Sequence, residues 1–340
     1  MSISQYSSFN VGMETLGTET VPQRREDAQA SAAAAPKTFQ GLFSSDDWAG
    51  LPDSQLVSVA GGVGDKLNLA FTLDKHDTVG IDCVAMCVND LICSGARPLY
   101  FLHRLSMGKA HPEQVDSLVS GLTKGCRLAG CAFLGGDTAQ TTGLYGGNQY
   151  DLSGFSVGIA PREGLPDGSS LRAGDILLGL GSSGLHTGGY SLACKVLDVS
   201  AEALDASVPE LGGTLGEALL QPSRIYALAV QCLLRQGVHI RAIRHISGGL
   251  LEDMPGMMPQ GLTARVEGGS FPVPPIFGHI AEQGHISWKE MCIRFNMGVG
   301  LVLAIPREEV GQAKDLLCRA GERAYIIGSV VPGDGGVELT

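Results

Sequence analysis

Four short glycine loops, each following an apolar run or opening a helical one, constrain this chain more than any other feature. They are Gly61-Gly62-Val63-Gly64-Asp65-Lys66, Gly135-Gly136-Asp137-Thr138, Gly181-Ser182-Ser183-Gly184-Leu185-His186-Thr187-Gly188-Gly189 and His245-Ile246-Ser247-Gly248-Gly249. Such loops turn backbone N–H groups toward an anion, most effectively where a helix begins. None has the spacing of a P-loop or of a dinucleotide fingerprint. A tight turn explains any one of them; four together point to phosphate handling. The 48 glycines among 340 residues follow no G-X-Y period, which excludes a collagen helix.

The apolar pattern around these loops reads as alternating strands and helices. Residues 56–62 form a strand running into the first loop. Residues 78–92 read as a strand and then a helix, and 98–105 as another strand. Pro112 opens a helix whose stripe is Val115, Leu118, Val119, Leu122 and Cys126, with Gly130 as its stop. A strand leads into the second loop, and 152–160 alternates as a half-buried strand. The Gly-, Pro- and Asp-rich stretch 161–174 marks a domain boundary. Beyond it come a buried strand (ILLGLG), a helix from about 189, and a helical stretch over 215–235 interrupted by Pro222. Strands near 238–245, 263–267, 297–305 and 324–330 alternate with helices near 249–258, 274–283 and 307–320. The reading is an α/β (α+β) chain of two domains, 56–165 and 170–335, after an extension or linker over 1–55.

A formal net charge of −11 excludes a broad nucleic-acid surface. No stretch has the length of a membrane span, and the start lacks the apolar core of a secretory signal. Nine cysteines, an odd number without a C-x-x-C pair, fit a reducing cytoplasm. Asp82 and Asp90 interrupt apolar runs, and a carboxylate there needs a partner. Mg²⁺ suits them and Asp137, because it takes few carboxylates together with phosphate oxygens; a helix cap or salt bridge is the plainer role. Lys66, directly after a glycine loop, is placed either to reach a phosphate or simply to face solvent.

These residues resemble a known family. The segments GVGDKLNLA, HDTVGIDCVAMCVNDLICSGARPLYFL, GGDTAQTTGLYGGNQYDLSGF, GLGSSGLHTGGYSL, TLGEALLQPSRIY, HISGGLLEDMP, PVPPIF and FNMGVGLVL run in the order found in aminoimidazole ribonucleotide synthetases (phosphoribosylformylglycinamidine cyclo-ligases) of purine biosynthesis. The resemblance covers about 56–331, most of the chain. It implies a cytoplasmic ligase, a homodimer in which each N-terminal four-stranded sheet closes a β-barrel with its twin, and a C-terminal layered α/β domain. The implied substrates are ATP and formylglycinamidine ribonucleotide, with Mg²⁺. By the same resemblance Lys66, Asp82, Asn89, Asp90 and His245 are catalytic, and Asp82 and Asp90 hold the metal. Gly62, Gly64, Lys66, Asp82, Gly135, Gly136 and Asp137 bind the nucleotide. Ser182, Ser183, His186, Tyr190, Ser247, Gly248, Gly249 and Asn296 bind the ribonucleotide.

Several positions depart from the family pattern. Gly61 replaces an aspartate, with Asp65 adding a carboxylate four residues on. His103 stands where the family has the aspartate of Phe-Leu-Asp-Tyr, Asp137 replaces a glutamate, and Gly256 replaces the arginine of Asn-x-Pro-Arg. The N-terminal Tyr-Lys-Asp-Ala-Gly-Val motif survives only as residues 8–13, without its lysine. These changes predict weakened Mg²⁺–ATP binding. They also define an alternative, a degenerate paralogue that keeps fold, dimer and phosphate binding without turnover.

Overall fold

The computed structural model describes residues 53–340. The expected extension lies outside the described residues as far as 52, and the 8–13 motif lies wholly outside them. Two sheets organise the rest. The first contains β1 (Ser54–Gly62), β2 (Arg97–Met107), β3 (Ala132–Gln140) and β4 (Tyr150–Pro161), in the order β1-β4-β2-β3. β4 runs antiparallel to both β1 and β2, while β2 and β3 are parallel. Parallel neighbours need a crossover, and α3 (Pro112–Ala129) supplies it between β2 and β3. Ahead of it lie α1 (Leu67–Leu73) and α2 (Asp77–Ile92), and α2 packs on α3, β1 and β4.

β1 alternates between a face that packs Val57 and Val59 onto the core and one that leaves Leu56 56% exposed. Phe155 on β4 is also exposed, at 40%.

The second sheet contains β5 (Ile176–Gly181), β8 (Ala242–His245), β9 (Leu262–Val266), β10 (Val299–Ile305), β11 (Ala324–Pro332) and β12 (Val337–Leu339), in the order β12-β9-β11-β5-β10-β8. β6 (Ser207–Val208) and β7 (Gly213–Thr214) form a small separate pair. The helices are α4 (Tyr190–Val196), α5 (Ala201–Asp205), α6 (Leu215–Leu219), α7 (Ala227–Arg235), α8 (Leu250–Asp253), α9 (Pro275–Gly284), α10 (Trp288–Arg294) and α11 (Val310–Arg319). One apolar cluster runs from Val84 and Leu91 of α2 through Val230 of α7 to Leu301 and Leu303 of β10. The two halves therefore share buried surface.

Three expectations are corrected. Residues 78–92 are helical throughout; α2 is buried along most of its length, and a buried helix loses the polar stripe that would reveal its period. The segment Gly135-Gly136-Asp137-Thr138 is strand, not loop: Gly136 pairs with His103 and Asp137 with Arg104, just past a register shift. A side chain at Gly136 would run into the His103 carbonyl, so a close strand approach accounts for that glycine. The helical stretch over 215–235 is two helices, and residues 220–226 between them are neither helix nor strand.

Candidate active site between the two halves

The segment 221–226 collects many of the residues singled out in the sequence. Asp82 accepts from the backbone N–H of Ser223 at 2.8 Å and from its hydroxyl at 2.6 Å. Lys66 Nζ lies 2.8 Å from the other Asp82 oxygen and donates to the Gln221 carbonyl at 2.6 Å. Asn89 donates to the Arg224 carbonyl at 2.8 Å and accepts from Tyr226 N at 3.1 Å. Ser183 Oγ donates to the Pro222 carbonyl at 2.6 Å. His186 Nε2 accepts from Ser183 N at 3.2 Å and Arg224 N at 3.4 Å. The sequence reading named these side chains in separate catalytic, nucleotide and ribonucleotide sets and missed their shared segment, because a backbone partner leaves no trace in residue type.

This geometry changes several assignments. Lys66 and Asp82 have no exposed surface and are closed on each other, so neither meets a phosphate or a metal in this conformation. Burial pulls the Lys66 ammonium below its ordinary pKa, and the Asp82 carboxylate opposes that. His186 is buried, and burial with the nearby His245, Lys66 and Arg224 holds its pKa well below the usual range. A neutral ring is what accepting two N–H bonds at Nε2 requires. Its backbone sits at φ 61, unusual for a side-chain-bearing residue. Tyr190 is buried too, donating to the Leu219 carbonyl beneath Lys66. These residues shape the site from behind.

The last two glycine loops contact each other. A side chain at Gly188 would meet the Ser247 carbonyl, and one at Gly249 would meet the Ile293 carbonyl. Asn296 fastens the third loop, donating to the carbonyls of Gly184 at 2.9 Å and Leu185 at 3.0 Å. Ser182 Oγ donates within the same group, 3.0 Å from both Asn296 Oδ1 and the Gly184 carbonyl.

Two parts of the site stay open. In one, Asp90 from α2 is 45% exposed and accepts from His245 at 2.7 Å across the halves. Cys93 adjoins this pair, its thiol pushed up to about 12 chiefly by burial and the Asp90 charge. Ser247, Gly248 and Gly249 continue from His245, and Gly248 N donates to Asp253 at 2.8 Å. The other is a cavity of about 620 Å³ lined by Lys75, Thr78, Ser183, Thr214, Gln221 and Pro274. That volume lies in the range of small-ligand sites. Thr78 Oγ1 is buried without a hydrogen-bond partner among the described residues, so it can serve a ligand. Apart from Ser183, sequence reasoning missed this lining.

The departures have structural consequences. Gly61 faces Met86 and Cys87 of α2, whereas Asp65 hydrogen-bonds Ser191 of α4, so Asp65 is occupied by the other half of the chain. His103 Nδ1 lies 3.0 Å from the Gly135 carbonyl, and burial lowers its pKa. Asp137 pairs with Arg104 on the surface. Among the described residues no three His, Cys, Asp or Glu side chains gather as a preformed metal cage.

Comparison with known proteins follows the same division. A sequence profile described as AIR synthase related protein, N-terminal domain, matches residues 45–160, and one for the C-terminal domain of the same proteins matches 172–339. The chain is 44% identical over 344 residues to the phosphoribosylformylglycinamidine cyclo-ligase of Acetivibrio thermocellus, covering 99% of this chain and 100% of that one. It is 48% identical over 301 residues to the enzyme of that name from Geobacillus kaustophilus, covering 87% and 86%. Among solved structures, Escherichia coli HypE, a hydrogenase maturation protein, superposes with a TM-score of 0.64 at 20% identity, over 93% of this chain and 92% of that one. A HypE structure in complex with ATP superposes at 0.60 and 21% identity, over 84% and 81%.

Proposed function

The chain belongs to the AIR synthase family, and on that premise we propose that it is an ATP-dependent phosphoribosylformylglycinamidine cyclo-ligase. The observation that carries this reading is identity of 44% over the full length of a relative of that name. Nothing in the comparisons favours the degenerate paralogue, and the doubt over turnover raised by Gly61 and His103 gains no support from them.

In the reaction, the formyl oxygen of formylglycinamidine ribonucleotide takes the γ-phosphoryl group of ATP and ADP leaves. A nitrogen of the same molecule then attacks the activated carbon. Phosphate departs with that oxygen, a proton is lost, and the imidazole ring is closed. Phosphoryl transfer needs positioning and charge neutralisation. Ring closure gains from a substrate held folded. The 620 Å³ cavity, with Ser183 and Thr214 on its wall and Lys75 supplying positive charge, suits the ribonucleotide. In the other open part of the site, His245, hydrogen-bonded to Asp90, is the group with the geometry to move a proton.

Mg²⁺ fits part of the donor set. Asp90, half-exposed, can hold it together with phosphate oxygens, where it would neutralise phosphate charge. Asp82 does not fit, because its oxygens face Lys66 and Ser223 and have no open side. ATP use is supported by the family and by the ATP complex of the fold relative. The domain limits near 56–165 and 170–335, and the cytoplasmic setting, belong to the same reading. The twin-barrel dimer is supported by Leu56 and Phe155, apolar and exposed on one sheet whose face a second copy would cover. Incubation of the pure protein with the ribonucleotide, ATP and Mg²⁺ tests the proposal; absence of the imidazole product while the ribonucleotide still binds would refute it.

A further inference from the structure

Gly256 lies in the 3₁₀ turn Met254–Met257, where the family pattern has an arginine. The space beside it is filled. A Cβ built on Gly256 would lie 3.0 Å from both Cζ and Nη1 of Arg244, and 3.3 Å from Nη2. The Arg244 guanidinium thus rests on the bare backbone of the residue that lost its own. Arg244 comes from β8, directly before His245, and its side chain is 39% exposed. Its nearest acid is Asp253, 3.5 Å from Nη2, and the other Asp253 oxygen accepts from Gly248 N. Arg244 Nε is buried with no partner among the described residues. A guanidinium carries five N–H donors. One long contact leaves most of them for another acceptor.

We propose that Arg244 supplies from β8 a phosphate-binding cation in place of the arginine that the family pattern carries at position 256, and that Gly256 leaves the space that admits it. The arginine missing at 256 is then a relocation rather than a loss. The ligand class is a phosphate-bearing molecule bound beside His245 and Asp90. Arg244 is a binding residue, and Asp253 positions it through a charged contact that also holds the His245–Gly249 loop. This inference rests on the cyclo-ligase reading only for the identity of the phosphate, which either ATP or the ribonucleotide can provide.

The test is a four-variant set: native chain, Arg244→Ala, Gly256→Arg and the double variant. Each is titrated calorimetrically with Mg²⁺–ATP, with formylglycinamidine ribonucleotide and with inorganic pyrophosphate. Arg244→Ala is expected to raise Kd about 10-fold or more for at least one phosphate ligand, the scale of a lost charged hydrogen bond. Gly256→Arg alone is expected to melt lower than the native chain, because two guanidinium groups then compete for one space. Arg244→Ala with Gly256→Arg should recover binding to within a few-fold of native and melt above Gly256→Arg. Whichever of ATP or the ribonucleotide loses affinity identifies the phosphate. The relocation is overturned if Arg244→Ala binds all three ligands as tightly as native, or if the double variant binds no better than Arg244→Ala. A native chain without cyclo-ligase activity that still binds pyrophosphate through Arg244 would sink the proposed reaction and leave this assignment standing.

Discussion

Replacing Asp82 by alanine should show whether the Lys66–Asp82 pair clamps the segment 221–226. The pair is fully buried at 2.8 Å, and Asp82 also accepts two hydrogen bonds from Ser223. Without the carboxylate, the Lys66 ammonium stays buried with the Gln221 carbonyl as its remaining hydrogen-bond acceptor. Breaking a buried pair from one side costs about 3–5 kcal/mol. The ammonium can shed part of that cost by losing its proton, since burial already lowers its pKa from 10.5. With a folded-state pKa below the unfolded one, the unfolded chain binds more protons between the two values. Stability of Asp82→Ala should therefore climb with pH through that window. Removing both charges, in Asp82→Ala with Lys66→Met, should regain most of the loss, because no lone charge remains. Urea unfolding read by fluorescence and circular dichroism, with a double-mutant cycle, measures these differences. A cost below about 1 kcal/mol for Asp82→Ala, or a double variant no more stable than the single, would refute the clamp.

Other expectations follow from the same geometry. Phe155→Asp places a charge on the exposed apolar face of the first sheet and should convert a dimer to monomer in sedimentation; a native chain that is monomeric at micromolar concentration would remove the barrel from the account. His103 and His186 both have folded-state pKa values below the ordinary 6.5. Their contribution is complete above about pH 6.5 and is lost as pH falls toward the folded values. Stability should accordingly drop between pH 7 and pH 5, and His103→Asn should flatten that slope. Asp90→Asn should lower kcat about 10²-fold or more while leaving urea stability within ~1 kcal/mol, since Asp90 is half-exposed; retained turnover would remove Asp90 from the reaction.

Much of the fold was legible because apolar periodicity and glycine punctuation are local signals. β1, β2, α3 and β5 follow directly from them. α2 did not, because burial on nearly every side erased its stripe. α10 was missed although Ser287 caps it by accepting from Glu290 N, a start signal present in the sequence. Within the site, the family resemblance marked Lys66, Asp82, Asn89, Ser183 and His186, and all five contact one segment in the structure. Their partners are mainly backbone groups of 221–226, which no side-chain pattern encodes. The same limit hid the cavity, whose wall combines Lys75 and Thr78 with Thr214 and Pro274 from far along the chain. It hid the Arg244–Gly256 contact as well, since nothing in the spacing of those residues says that one rests on the other.

The most direct measurement is product analysis of the purified chain incubated with formylglycinamidine ribonucleotide, ATP and Mg²⁺, with mass spectrometry and a parallel ADP assay. The account predicts aminoimidazole ribonucleotide and ADP in equal amounts, with both lost in Asp90→Asn. ADP released without ring closure, or no ADP from a folded protein that binds both substrates, would contradict it.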